Sequence, residues 1–141
     1  MRVWPRAFPL ALFLLTCFGG HTPARAQQFP GSRVVLLVNL IKNADEILVF
    51  QRDSKVPSGW RRQPTLHLTA ARDAKLFRAL REAPVTKPMG LSASDASWRF
   101  DFIEKHVTPK KLGAAVSDGK ILERKGDASI TLPAEWLEKM K

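Results

Sequence analysis

The residues best suited to chemistry in this chain are basic side chains set beside aromatics. Trp60-Arg61-Arg62 stand together in a polar stretch, and Lys105-His106 and Lys110-Lys111 flank a turn at Pro109. An Arg fork grips a carboxylate or phosphate through two parallel N–H bonds, and a neighbouring indole stacks on a sugar, a base or a guanidinium plane. Trp60, Arg61, Arg62, Lys110 and Lys111 are therefore the candidate ligand-binding residues, and an anion is the ligand they point to. The competing reading folds Trp60 back onto the core and leaves the charges only to keep the protein in solution.

Other chemistries find little material. Beyond residue 26 the only histidines are His67 and His106, with no Cys and no His-x-x-x-His spacing, so neither a metal nor another cofactor is expected. A Gly-x-Ser-x-Gly elbow and a reactive Cys are missing from the sequence, so no catalytic residue is assigned. Asp101 and Glu104 are the nearest thing to a carboxylate pair, but the alternation around them reads as a solvated strand face. The glycines are scattered and read as turn or strand-crossing positions, with no phosphate-cradling loop.

The charge balance frames these residues. The 141 residues hold 23 Lys and Arg against 13 Asp and Glu, a formal net charge of +10, and 45% are apolar, too many for a disordered chain. Such a charge ordinarily suggests nucleic acid. The N-terminus redirects that inference.

Met1-Arg2-Val3-Trp4-Pro5-Arg6 is a short basic lead, and residues 7–18 are almost wholly apolar. That run is too short to cross a bilayer, which takes roughly 20 residues, and is of signal-peptide length. Ala24-Arg25-Ala26 before Gln27 offers small residues where a signal peptidase requires them, so cleavage is expected after Ala26. Arg2 and Arg6 are not adjacent, which favours the general secretory route over twin-arginine export. Leu14-Leu15-Thr16-Cys17 resembles a bacterial lipobox in part, with Thr16 where that pattern wants a small residue, so lipid anchoring at Cys17 stands as a minor alternative. Loss of the leader removes Arg2, Arg6, Arg25 and Cys17. The remaining 115 residues would carry 20 bases and 13 acids, net +7, without a cysteine.

An exported chain meets lipopolysaccharide, anionic lipid headgroups, peptidoglycan carboxylates and other proteins, so these replace nucleic acid as expected partners. The expectation is a periplasmic or secreted binding protein without enzymatic activity. Two alternatives stay open: a small envelope-acting hydrolase whose site assembles only in three dimensions, and a secreted inhibitor or immunity-type protein presenting the 51–64 loop.

The elements that must position these residues form one unit, 27–141, with no internal repeat. Val34, Leu37, Val38 and Ile41 share a helical face opposite Asn39, Lys42 and Asn43, although Val-Val-Leu-Leu-Val would also suit a strand. Residues 46–50 read as a strand and 66–68 as a short one. Thr69 is expected to cap a helix over 70–83, with Leu76, Phe77 and Leu80 inward and Arg72, Lys75, Arg78 and Arg81 along an outer ridge. Residues 84–97 read as a loop. Trp98, Phe100 and Phe102 then alternate with Arg99 and Asp101 as in a half-buried strand. Asp118-Gly119 between apolar runs predicts a two-residue hairpin, Gly126-Asp127 a further turn, 129–132 a last strand, and Pro133 a final short helix bearing Trp136. The fold class expected is α+β, with helices packed on one face of a three- to five-stranded, mainly antiparallel sheet.

Overall fold

The computed structural model describes residues 35–92, 94–105 and 112–141. All of them belong to one unit, Gly31–Lys141, of the two into which the chain divides. The leader with Cys17, the cleavage positions Ala24, Ala26 and Gln27, and the basic turn with His106, Pro109, Lys110 and Lys111 lie outside the described residues.

The elements follow in the order α1 (Val35–Asn43), β1 (Glu46–Gln51), β2 (Leu66–Thr69), α2 (Ala74–Glu82), β3 (Val85–Thr86), β4 (Trp98–Ile103), β5 (Leu112–Ser117), β6 (Ile121–Glu123), β7 (Ser129–Thr131) and α3 (Ala134–Lys139). The strands form one sheet of seven in the order β2-β1-β4-β5-β6-β7-β3, antiparallel at every pairing. The domain is thus mixed α+β, but the sheet is wider than the expected three to five strands. Pairing of β1 with β4 joins the N-terminal hairpin to the meander, and β3 closes the far edge. Neither pairing is local, and a two-residue strand is too short for its periodicity to show.

The helices cover one face. Ile47, Val49, Leu68, Phe100, Phe102, Ala114, Val116, Leu122 and Ile130 point into a single core with Leu37, Leu40 and Ile41 of α1, Phe77 and Leu80 of α2, and Trp136 of α3. Trp136 is fully buried, its ring 5.4 Å from Phe100, and its Nε1–H donates to Leu76 O at 2.8 Å, tying α3 to α2. Burying the indole this way also satisfies its one polar group.

Two local expectations need correction. On α1 the buried stripe is Leu37, Leu40 and Ile41, continued by Ala44 just past its end, whereas Val38 is exposed: the helix is rotated so that Val38 lies at its rim, and Val34 lies outside the described residues. On α2 the first helical residue is Ala74 and not Ala70. Asp73 explains the delay. Its carboxylate accepts from Thr69 N–H and Arg72 Nε, while its own N–H donates to Thr69 O, which closes a separate turn ahead of the helix. Thr69 Oγ1 caps that turn, accepting from Arg72 N–H at 3.4 Å. Burial raises the Asp73 carboxyl, and the Thr69 and Arg72 hydrogen bonds more than reverse this, so it sits below its ordinary value.

Arg81, on the expected outer ridge, is not merely solvated. Its guanidinium donates to Ile41 O and Ala44 O, both at 3.4 Å, supplying partners for orphan carbonyls at the end of α1. Asp118 and Gly119 turn the chain with φ of 52° and 68°, the left-handed pair expected, but Ser117 pairs with Ile121, so the loop holds three residues, 118–120, and not two.

Candidate functional site

The sheet register sorts side chains by face, and the face on which no helix packs among the described residues carries the polar ones. Phe50, Arg99, Ala115, Glu123, Ser129 and Thr86 stand opposite one another across six successive strands. Leu48, Asp101 and Gly113 form the neighbouring row.

Glu123 holds the chain that crosses this face. After β3 at one edge the chain must return to β4 in the sheet interior, and residues 87–92 and 94–97 belong to that return, a strap. Glu123 Oε2 accepts from Met89 N–H and Ser129 Oγ, both at 2.7 Å, and Oε1 accepts from Gly90 N–H at 2.9 Å and Leu91 N–H at 3.3 Å. The side chain is 2% exposed, so these donors stand in for the water it lost. Gly90 has a φ of 73°, which turns successive amides toward the one carboxylate. Arg52 secures the other end, its Nη1 donating to Ser94 O and Ala96 O at 3.0 Å.

Arg99 sits at the centre of the face. Its Nε and Nη2 donate to the two oxygens of Asp101, both at 3.1 Å, and its guanidinium lies 4.3 Å from the Phe50 ring and 5.7 Å from that of Trp60. Asp101, expected on a solvated surface, is instead buried: the bidentate Arg99 contact compensates its charge and closes it off from water. Glu104 is not part of this group.

Trp60 pairs with Arg52 through an isolated bridge beyond the end of β1, which brings it to the same face. Between Trp60 and the strap lies an open recess of about 220 Å³, lined among others by Arg99, Gly113, Ala115, Arg124 and Lys125. Arg124 Nε approaches buried Asp127 Oδ2 at 3.3 Å, an ion pair without hydrogen-bond alignment. Arg61 and Arg62 follow Trp60 in the chain and are exposed, but neither lines the recess. Of the residues singled out in the sequence the structure therefore places Trp60 at the recess and Arg61 and Arg62 outside its lining, with Lys110 and Lys111 outside the described residues. Arg99, Glu123, Arg124 and Lys125 were missed. Glu123, a charged residue on a short strand flanked by polar turn residues, carried no local signal of burial; only the returning strap buries it.

Among the described residues no three His, Cys, Asp or Glu side chains converge as metal ligands, and no helix is long and apolar enough to cross a membrane. His67 is exposed and donates through Nε2 to Glu46 Oε2 at 2.8 Å, with Lys105 Nζ 3.3 Å from Glu46 Oε1. The His67 hydrogen bond outweighs burial and, with Lys105, holds the Glu46 carboxyl below its ordinary value. No family model, curated protein or solved structure matches the chain.

Proposed function

We propose that this chain is an exported binding protein that engages an anionic component of the cell envelope through the helix-free face of its sheet. The observation that carries the reading is the recess walled by Trp60, with Arg99, Arg124 and Lys125 on its lining; Arg61 and Arg62, exposed, follow Trp60 in the chain. An indole next to guanidinium and ammonium groups suits a ligand with a flat or ring-shaped part and a negative charge. Binding is favoured over hydrolysis because Asp101, Glu123 and Asp127 are each committed to a structural partner, whereas a general acid or base must reach a substrate. The short apolar run and the Ala24-Arg25-Ala26 site supply the argument for export.

Expression of the full chain in a bacterial host, followed by fractionation and N-terminal sequencing, tests export; an N-terminus at Gln27 in the periplasm or medium is expected, and retention of Met1 in the cytoplasm would overturn it. Binding is tested with lipopolysaccharide and with anionic against zwitterionic vesicles over a salt series. Affinity should fall steeply with salt, and further in Arg61→Ala with Arg62→Ala. Equal binding to zwitterionic vesicles, or none to any anion, would refute the reading.

A further inference from the structure

The ligand class of that same recess follows from its walls and its charge balance, on the premise that the helix-free face binds an anion. We infer that the recess beside Trp60 holds a single acidic sugar ring, a pyranose carrying one carboxylate or phosphate, stacked on the indole with its anionic group toward Lys125.

The floor is the first argument. Gly113 and Ala115 leave the middle of β5 almost without side chains on this face. A Cβ on Gly113 would meet Asp101 Oδ1 at 3.5 Å and Arg99 Cγ and Cδ at 3.8 and 3.9 Å, all ordinary contacts, and its backbone is not in the left-handed region. Neither packing nor conformation demands glycine there. The missing side chain leaves open surface beside a part-exposed indole, which a ring can lie against.

Charge narrows the choice. Arg99 is matched by Asp101, Arg124 by Asp127, and the Glu123 carboxylate by the strap amides and Ser129. Among the described residues Lys125 on the lining is exposed and has no carboxylate partner, whereas the Glu123 charge is buried and held by amides, so Lys125 is the cation that a ligand can reach. One reachable cation suits one anionic group on the ring it meets. Two of the five N–H donors of Arg99 are engaged by Asp101, which leaves donors at the floor for hydroxyl groups. A volume of about 220 Å³ has room for one ring, and the aliphatic part of the lining, Leu91 with two alanines, makes no slot for an acyl chain.

The test is calorimetric titration of the full chain with trigalacturonate, with maltotriose as the uncharged sugar and tripolyphosphate as the sugar-free anion. Trigalacturonate should bind. Trp60→Ala should weaken it about tenfold and Trp60→Phe should retain most of the affinity, as loss of an aromatic stacking partner predicts. Lys125→Ala should weaken it about threefold or more and flatten its salt dependence. Gly113→Val fills the floor and should abolish binding with an unchanged thermal midpoint, since valine suits a strand; this variant keeps the proposal testable should Trp60→Ala unfold. Tripolyphosphate binding as tightly, with Trp60→Ala and Gly113→Val without effect, would overturn the sugar assignment and leave the anion-binding face standing. Equal binding of maltotriose would overturn the anionic part. Failure of every anion would remove both this inference and the function it rests on.

Discussion

Replacing Glu123 by Ala removes the carboxylate that grips the middle of the strap at Met89, Gly90 and Leu91, and its cost can be worked from the contacts. Four donors lose a bond to the carboxylate: Met89 N–H and Ser129 Oγ at 2.7 Å, Gly90 N–H at 2.9 Å and Leu91 N–H at the weaker 3.3 Å, although Met89 N–H keeps Ser129 Oγ as a second acceptor at 3.1 Å. A hydrogen bond to a charged group contributes about 1.5–3 kcal/mol net, and an orphaned buried donor costs about 1–3 kcal/mol. Three strong bonds at the upper figure would sum to roughly 9 kcal/mol, most of the stability of an ordinary domain. Two effects reduce that. The substitution also deletes a buried charge, and Met89 and Gly90 are exposed, so their amides reach water once the strap lifts. The expected loss is therefore about 2–4 kcal/mol, read as a fall of about 1–2 M in the urea midpoint. Glu123→Gln keeps an oxygen for Gly90 and Leu91 but turns an NH2 toward the Met89 donor, so it should cost about 1–2 kcal/mol. Hydrogen exchange gives the local readout. The amides of Met89, Gly90 and Leu91 should be protected in the parent and exchange rapidly in Glu123→Ala, while Phe100 and Val116 in the sheet centre keep their rank. An alanine variant within about 0.5 kcal/mol of the parent, with those three amides still slow, would refute the argument that the carboxylate holds the strap.

Trp136→Ala should destabilise by about 3–5 kcal/mol, because it empties a fully buried indole site against Phe100, and Trp136→Phe by about 1–3 kcal/mol for lost volume and the lost bond to Leu76 O; urea unfolding followed by far-UV circular dichroism checks the order. Glu46 and Asp73 titrate below their ordinary values of 4.5 and 3.8 in the folded state, so the stability they confer is complete above those values and is lost as pH falls through the depressed folded ones. Urea midpoints between pH 6 and pH 2.5 should therefore drop less steeply in Glu46→Gln than in the parent, and identical slopes would show that the His67 and Lys105 contacts contribute nothing.

Which parts of this protein were legible without coordinates follows from the range of each interaction. The hairpin turn at Asp118-Gly119 is encoded in two residues that tolerate positive φ, and the strand Trp98–Ile103 in an alternation its own neighbours repeat. The helix at Val35–Asn43 was recoverable from the spacing of Asn39, Lys42 and Asn43 despite its β-branched start. The start of α2 was not. Thr69 is a good cap by type, but Asp73, four residues on, takes the Thr69 amide and delays the helix by a turn.

Trp60 could be singled out from its basic neighbours, since stacking and charge are properties of residue type. Its companions in the recess could not. Arg99 and Asp101 read as the wet side of an alternating strand, and Glu123 as an ordinary charge near a turn. Burial of Asp101 depends on a guanidinium held between Phe50 and Trp60, contributed by residues about 40 to 50 positions apart in the chain. Burial of Glu123 depends on where the chain goes after β3. Pairing of Val85 and Thr86 with β7 at the far edge forces the strap back across the open face, and the amides of Met89, Gly90 and Leu91 need an acceptor. The sequence by itself determined the local elements, the positive charge and the aromatic at position 60, because each is written in neighbours a few residues apart. Only the tertiary structure decided which charges are neutralised and which remain, because that depends on strand order, and strand order is set by pairings between segments that share no local signal.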